Sequence, residues 1–417
     1  MTKLVEVLDS LPGSGKTHAI IQYMSNHQDK RWLYISPMLE ETEDRVPKAA
    51  EELGMDFFIP YEDELYTKSD TCLQALQRGL NICCTHNLMY LFSKKHLEVL
   101  KKQGYHVVSD EELNLINGYP MKKEDIDFLL KNGIIRVNEE DGRVSFLDED
   151  MALGARYGDV KAKSDLGMLY AAKRSERFLV IQLSPEIIEA SERFILLTYN
   201  YTDSLMQVFL KMHKFEYAPF TEVVLWKTEE EIKDTLRKRI QFIETPSVKN
   251  IQKSFTLSKS WWVSASKEER NMVAKTIRSV MKVADVSRED MFYTVPKDYS
   301  VSSKGFNTKY IGNDPKLDED GVPIDYTRTF IACNARSTNK YADKRLAVHA
   351  YNLFPNQAVK AFIQGHGYVC NDDVYALNML LQWLFRGCIR KKEGVLNVAI
   401  LSKRMNAIFK EWLINRY

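Results

Sequence analysis

Residues 3–17 read KLVEVLDSLPGSGKT, and this stretch decides the fold of the first half of the chain. The short apolar run at residues 3–9 predicts a β-strand. An apolar pattern of helical period begins near Lys16 and predicts a helix. The loop between them contains two glycines, which permit the tight turn that joins a strand directly to a helix. The sequence therefore predicts a strand–loop–helix unit at this point.

The loop of this unit has the pattern of a phosphate-binding loop, LPGSGKT, at residues 11–17. Gly13 and Gly15 let backbone N–H groups point inward as an anion cradle, and the start of the following helix adds positive potential. Lys16 would reach the β- and γ-phosphates of a nucleotide, and the Thr17 hydroxyl would be a ligand of Mg²⁺. The strand before the loop and the helix after it are the context that this chemistry needs.

The pattern implies ATP and Mg²⁺ as cofactors. Seven consecutive residues would surround the nucleotide: Pro12, Gly13, Ser14, Gly15, Lys16, Thr17 and His18. Ser10 stands where the full pattern has a glycine. The alternative interpretation is a Gly-rich turn that binds nothing.

Composition limits the remaining possibilities. A chain of 417 residues predicts two or three domains. The net charge is +1, from 58 basic and 57 acidic residues, so a nucleic-acid site would have to be a local groove. The six cysteines include no CxxC pair and no metal spacing, which indicates reduced thiols. Neither an apolar run of about 18 residues nor a signal peptide is seen, so we expect a cytoplasmic protein with no membrane contact.

The first half alternates predicted strands and helices, which indicates a doubly wound parallel sheet with ligands at the carboxyl ends of its strands. Strands are expected at residues 3–9, 31–37, 56–60, 81–86, 106–110 and 193–200. Residues 113–188 interrupt this pattern with a short amphipathic helix and two alternating runs around a Glu-Asp-Gly turn. We expect these residues to form a small helix–hairpin insertion.

A second α/β series is expected in the C-terminal half, so that domains would span residues 1–215 and 216–417. Strands are expected at residues 221–226, 290–296, 327–334, 345–352 and 395–401, and helices at 227–242, 267–283, 371–386 and 402–415. The fold class predicted is therefore α/β, with two parallel-sheet domains in tandem and a small α+β insertion in the first.

An acidic pair ends the predicted strand HVVSD. Asp110 is suited to hold Mg²⁺ beside the phosphate loop, and Glu111 to orient or deprotonate the attacking water. Glu112 would compete for the second role if the register slips by one residue. Acidic residues after strands are also common as solvated caps, which is the alternative.

Three polar side chains recur every four residues in LLQWLFRGCIRKK, residues 380–392. At that spacing Gln382, Arg386 and Arg390 would share one face of a helix. The arginines could then stabilise charge on a γ-phosphate as arginine fingers. A solvated amphipathic helix is the alternative interpretation.

Together the motifs resemble those of superfamily 2 helicases, with phage-encoded replication DNA helicases as the nearest group, and the resemblance spans both halves. LPGSGKT resembles motif I, YISPMLEETEDR (34–45) motif Ia, and SDEEL motif II. CCTHNL (83–88) resembles the following DNA-contacting motif, and LLTYNY (196–201) stands in the place of motif III. ACNARSTNKY (332–341) resembles motif V and QWLFRGCIR motif VI.

The resemblance implies two RecA-like domains with ATP between them, and single-stranded or forked DNA as partner. It implies catalytic roles for Lys16, Asp110, Glu111, Gln382, Arg386 and Arg390. It implies DNA contacts for Pro37, Thr85, His86, Asn334, Arg336, Thr338 and Asn339. Thr198 and Tyr199 would couple hydrolysis to movement.

The function expected is that of an ATP-dependent DNA helicase of a phage, acting in replication or recombination as a monomer or weak oligomer, with other replication proteins as possible partners. The alternative is a double-stranded DNA translocase or packaging-type ATPase without unwinding activity. A small-molecule kinase would not need the second α/β series, and a non-enzymatic scaffold would not need Lys16, Thr17, Asp110 and Glu111 together.

Overall fold

A computed structural model describes most of the chain. It covers residues 3–37, 39–111, 116–147, 157–172, 175–182, 185–300, 329–334, 340–391 and 394–414. The chain divides into two compact units. The first unit contains the residues up to Leu11, Gly15–Trp226 and Pro355–Asn371, and the second contains Pro12–Ser14, Lys227–Phe354 and the residues from Asp372 onward. This division does not coincide with the boundary expected between residues 215 and 216.

Strands and helices alternate along most of the described chain. The strands are β1 (Leu4–Asp9), β2 (Arg31–Ser36), β3 (Ile82–Thr85), β4 (Tyr105–Asp110), β5 (Ile116–Gly118), β6 (Ile135–Val137), β7 (Val144–Phe146), β8 (Leu169–Ala172), β9 (Ser175–Gln182), β10 (Arg193–Thr198), β11 (Glu216–Pro219), β12 (Ile240–Phe242), β13 (Met291–Thr294), β14 (Leu346–His349) and β15 (Leu396–Ile400). The helices are α1 (Lys16–Ser25), α2 (Val46–Glu51), α3 (Lys68–Gln77), α4 (His86–Met89), α5 (Lys94–Gln103), α6 (Lys123–Lys131), α7 (Gly158–Asp165), α8 (Glu186–Ala190), α9 (Leu205–Met212), α10 (Glu229–Arg239), α11 (Pro246–Ser254), α12 (Lys259–Ser264), α13 (Lys267–Val283), α14 (Gln357–Gly365), α15 (Asp372–Leu384) and α16 (Lys403–Ile414).

The main sheet of the first unit has six strands in the order β11-β1-β10-β4-β2-β3, and every neighbouring pair is parallel. Its inner strands β2, β4 and β10 are buried along almost their whole length. Nearly continuous apolar runs produce such strands, because helices cover both faces of a parallel sheet. The carboxyl ends of all six strands therefore meet at one edge.

The second unit contains a parallel sheet of four strands, β12-β15-β14-β13. Helix α13 packs its apolar face onto this sheet through buried Val273, Ile277 and Val280. Ser266 begins the helix with a capping box, in which its hydroxyl accepts from the backbone of Glu269. Two parallel sheets in one chain confirm the predicted fold class of two Rossmann- or RecA-like domains.

Several expected strands are wrong in detail. Residues 221–226 form no strand, and Val224 is 90% exposed, because the chain leaves the sheet after β11 and runs over the surface. The segments at 56–60 and 327–334 contribute only single bridges, at Phe58 and Phe330, within the described residues. The helix expected over 227–242 stops at Arg239, because Ile240 turns to an extended conformation and begins β12.

The insertion between β4 and α8 forms a small antiparallel sheet, β5-β9-β8, beside the hairpin β6–β7. Successive residues of β8 point to opposite faces of this sheet. Leu169 and Ala171 pack into the insertion's own core with helix residues such as Leu129. Tyr170 and Ala172 instead join the large core that also contains residues of the main sheet. The insertion therefore shares one of its faces with the large core of the first unit.

A segment from the C-terminal half packs against the face of the inserted sheet that carries Tyr170 and Ala172. Helix α14 lies in the segment 355–371, which belongs to the first unit although the residues on either side of it belong to the second. Asn356 caps the helix, since its side chain accepts from the backbone of Ala358 at 2.8 Å. Phe362 is 1% exposed and packs edge-on against Tyr170, with ring centroids 5.8 Å apart.

Replacing Phe362 with alanine should loosen the inserted sheet. Removing a buried phenylalanine ring generally costs about 3–5 kcal/mol. Amide hydrogen exchange should therefore become faster in β8 and β9. The control is Phe128→Ala on α6, because Phe128 is 44% exposed and should tolerate the change. Unchanged exchange in the Phe362 variant would show that α14 does not support the inserted sheet.

Candidate active site

The phosphate loop has the backbone that its glycines permit. Gly13 and Gly15 have φ angles of 87° and 94°, in the region that favours glycine. Helix α1 starts immediately afterwards, with the backbone of Ala19 donating to the Gly15 carbonyl at 2.9 Å. The amino end of a ten-residue helix and its unpaired N–H groups therefore follow the loop. This arrangement attracts an anion such as a phosphate.

Lys16 folds back over the loop that carries it. Its ammonium donates to the carbonyl of Ser10 and, at 3.2 Å, to that of Leu11. Burial lowers the pKa of Lys16 to about 8, although the carboxylates of Asp110, Asp9 and Glu111 oppose the shift. Because this cation donates to neutral backbone carbonyls, a phosphate would be a stronger partner for it.

Asp110 stands at the carboxyl end of β4, directly beside Thr17. The Thr17 hydroxyl lies 3.3 Å from Asp110 Oδ2, and the hydroxyl of Tyr34 donates to the same oxygen. Asp110 is 6% exposed, and burial raises the pKa of this carboxyl to about 7, with repulsion from Glu41 as the next cause. A cation held at this position would favour the ionised form of Asp110.

These oxygens fit Mg²⁺. A hydroxyl and a carboxylate are hard ligands, and Mg²⁺ typically takes one or two carboxylates and completes its shell with water and substrate phosphates. No cluster of three or more His, Cys, Asp or Glu side chains that could hold a metal occurs in the described part of the chain. Thr17 and Asp110 would therefore hold Mg²⁺ together with a bound nucleotide.

Glu111 follows Asp110 in a strained conformation. Its φ angle is 66°, which is uncommon for a residue with a side chain. The hydroxyl of Ser109 donates to the Glu111 carbonyl at 3.3 Å and supports this turn. Backbone strain of this kind concentrates at functional sites. The competing residue Glu112 lies outside the described residues, and the role of Glu111 as base stays a prediction.

Other predicted residues lie at the same edge of the main sheet, because they follow parallel strands. Thr198 ends β10, and its carbonyl accepts from the backbone of Ser10 at 2.9 Å; Tyr199 follows it. Pro37 follows β2 and is partly exposed. Thr85 ends β3, where its hydroxyl caps α4 by accepting from the backbone of Leu88 at 3.2 Å.

The DNA contacts predicted at this edge and in motif V stay predictions. His86 is 4% exposed, so its ring is mostly inside the core. Asn334 is exposed. Arg336, Thr338 and Asn339 lie outside the described residues.

The expectation that Gln382, Arg386 and Arg390 share one helix face is wrong. Helix α15 ends at Leu384, and Arg390 lies in a separate 3₁₀ turn. After the helix, Gly387 lies close to β13: a Cβ atom there would lie 3.0 Å from the side chain of Phe292. Gln382 is half-buried on α15, whereas Arg386 follows the helix and is 5% exposed.

Sequence reasoning missed two aromatic residues beside the loop. Tyr34 lies in an apolar strand and in the stretch that resembles motif Ia, but neither pattern assigns it a role at the phosphate loop, although a tyrosine hydroxyl in a buried strand needs a polar partner. Trp226 was assigned to a strand that does not form. Its ring centroid lies 4.8 Å from that of His18, which is exposed on α1.

Comparison with known proteins agrees with this fold. Residues 234–413 match the model of the YonV C-terminal Rossmann-like domain. The structure of Xpd4 from S. tokodaii aligns with a TM-score of 0.51 at 13% identity, over 99% of this chain and 95% of that chain. At this identity the likeness is one of fold.

A relative is known from a prophage. The SPbeta prophage-derived uncharacterized protein YonV of Bacillus subtilis is 26% identical over an alignment of 434 positions, which covers 99% of each chain. Among the described residues, no helix is both long and apolar enough to cross a membrane.

Tyr34→Phe should weaken Mg²⁺-dependent nucleotide binding about tenfold, because a hydrogen bond to a charged carboxylate is lost without changing the ring. Equilibrium titration of nucleotide at several Mg²⁺ concentrations measures this. Tyr105→Phe is the matched control: Tyr105 is also fully buried and begins β4, but its hydroxyl donates to the Leu80 carbonyl at 2.6 Å. Equal effects of the two changes would contradict a role for Tyr34 in placing Asp110.

Proposed function

We propose that this protein is an ATP-dependent nucleic-acid motor. The observation that supports it best is the meeting of Thr17 and Asp110, 3.3 Å apart, at the start of α1. The two residues come from positions 93 apart in the sequence and are joined by parallel strands of one sheet. A Gly-rich turn that binds nothing would not explain why the buried carboxylate of Asp110 lies beside the Thr17 hydroxyl. The second parallel sheet and the resemblance of the sequence motifs to those of helicases support a motor over a metabolic kinase.

The residues of the phosphate loop and of the neighbouring strand β4 divide the work of hydrolysis. Lys16 binds the β- and γ-phosphates, and the loop from Pro12 to Gly15 surrounds them with N–H donors. Thr17 and Asp110 hold Mg²⁺, which neutralises phosphate charge when it is bound. Glu111 takes a proton from the attacking water.

The second unit contributes through residues that the sequence identifies. In this proposal Arg386 and Arg390 stabilise charge that develops on the γ-phosphate, and Gln382 assists them. In the first unit, Thr198 and Tyr199 couple the nucleotide state to movement on the nucleic acid. The buried position of Arg386 means that its role needs a test that separates turnover from folding.

The nucleic acid is DNA in this proposal, and the activity is helicase activity in phage replication or recombination inside the host cytoplasm. A relative of prophage origin, aligned over 99% of both chains, supports this setting. Single-stranded or forked DNA would contact the carboxyl edge of the main sheet near Pro37, Thr85 and His86. A translocase or packaging-type ATPase is the second candidate, and it would hydrolyse ATP on DNA without separating strands.

The insertion is proposed to grip or separate strands through its hairpin β6–β7. The turn of this hairpin is exposed and acidic, with Glu139, Glu140 and Asp141 in sequence. Deleting the whole insertion would uncover Phe362 on α14 and disturb the first unit. Changes confined to the hairpin are therefore the better test of this role.

Lys16→Ala should abolish ATP hydrolysis, because the loop loses the cation that binds the phosphates. Glu111→Gln should still bind ATP but hydrolyse it at least about a hundredfold more slowly, as expected for loss of a general base. Steady-state hydrolysis with and without single-stranded DNA measures both, and strong stimulation by DNA is expected of a motor. Glu98→Gln, at an exposed position of α5, is the control. Normal hydrolysis by the Glu111 variant would assign the base elsewhere.

Arg386→Lys should lower kcat by about tenfold or more while KM for ATP changes little, because lysine keeps the charge but not the planar guanidinium. Thermal unfolding of the same variant checks that the fold survives. Arg404→Lys is a control for purely structural arginines, since Arg404 pairs with Asp373 at 2.6 Å and with the Leu353 carbonyl. If Arg386→Lys lowers the unfolding temperature but leaves kcat intact, Arg386 is structural.

A further inference from the structure

The segment that follows β11 is anchored firmly to the first unit. Phe220 is 3% exposed and packs edge-on against Tyr23 of α1, with centroids 5.2 Å apart. Glu222 accepts from the Tyr23 hydroxyl at 2.8 Å and pairs with Arg193. Val223 and Leu225 are partly buried against the same core. The position of the next residue, Trp226, is therefore set by contacts along the whole segment.

Trp226 is the end of this anchored segment, yet its side chain is 67% exposed. It lies over the phosphate loop. A Cβ atom on Gly15 would lie 2.8 Å from Cδ2 and 3.0 Å from both Cγ and Cε3 of the indole. Atoms of both the five-membered and the six-membered ring of the indole lie at nearly equal distance from this Cβ position. Gly15 therefore lies beneath the face of the indole. His18 flanks the ring at 4.8 Å between centroids, tilted by 41°.

An indole with one face on the loop and most of its surface open is ready to stack on a planar group. The ring is held by the anchored segment before it and by its contacts with Gly15 and His18, so it loses little freedom when a ligand binds. The neighbouring loop binds phosphates in the proposed function, so the planar group nearest to it is the base of the same nucleotide. We propose that Trp226 is the stacking platform for a purine base, with His18 at its edge. This inference rests on the proposed nucleotide site.

The chemistry of stacking defines what the platform selects. Every base has a π-face, so an aromatic platform favours large bases without reading their hydrogen-bonding groups. ATP and GTP should therefore bind with similar affinity, and CTP or UTP several-fold more weakly. Inorganic tripolyphosphate, which has no base, should bind without any contribution from Trp226.

The test compares Trp226→Ala with Trp226→Phe and with the neighbouring Val224→Ala, whose side chain is 90% exposed. Trp226→Ala should weaken binding of Mg²⁺-ATP about tenfold, as one lost stacking contact does, while tripolyphosphate binding is unchanged. Trp226→Phe should retain most of the affinity for ATP, and Val224→Ala all of it. KM for ATP should rise in the alanine variant with kcat unchanged.

Different results overturn different conclusions. Equal weakening of ATP and tripolyphosphate in Trp226→Ala would show that the indole only supports the loop, and unchanged ATP affinity would show that the base lies elsewhere. Either result overturns the platform while loss of binding in Lys16→Ala still supports the nucleotide site. If the unaltered protein binds neither ATP nor tripolyphosphate, the proposed function itself fails, and the platform with it.

Discussion

A buried carboxylate at the end of a central strand is the constraint on which the first unit depends. Asp110 is 6% exposed, and ionising a carboxyl group there is costly unless partners surround it. The structure supplies a hydroxyl from α1, a second hydroxyl from β2 and the nearby ammonium of Lys16. Two of these partners come from α1, which follows β1, and one comes from β2, so they meet Asp110 only when β1, β2 and β4 are aligned in parallel. The order of the strands thus also determines which groups surround the carboxylate of Asp110.

The same alignment explains why so much of the fold could be predicted from the sequence. Buried parallel strands need continuous apolar runs, and those at β1, β2, β4 and β10 are visible as such. The phosphate loop could be predicted because its glycines, lysine and threonine have local roles. The prediction was weaker where the outcome depended on distant contacts. An apolar run at residues 221–226 resembles a strand, but its side chains are divided between the core and the surface.

The arginines of the second unit show a different limit. A spacing of four residues indicates a shared helix face only while the helix lasts. Helix α15 ends at Leu384, and at Gly387 the chain then passes close to Phe292, a residue almost a hundred positions earlier in the chain. Tyr34 illustrates the same point in the first unit, because its role depends on the neighbouring strand that the sheet order provides. Roles that depend on such tertiary contacts were accessible only from the structure.

The path of the chain through α14 has a consequence for how such a protein can arise and change. The first unit is built from three stretches of sequence; the last of them, Pro355–Asn371, is separated from the others by more than a hundred residues and carries Phe362 into the core. A gene segment ending near residue 226 would encode the entire main sheet but leave Tyr170 and its neighbours facing water. Genetic exchange between two related genes at a point within residues 227–354 would combine the inserted sheet of one protein with the α14 of the other. The two α/β units are therefore expected to be inherited together and to diverge as one.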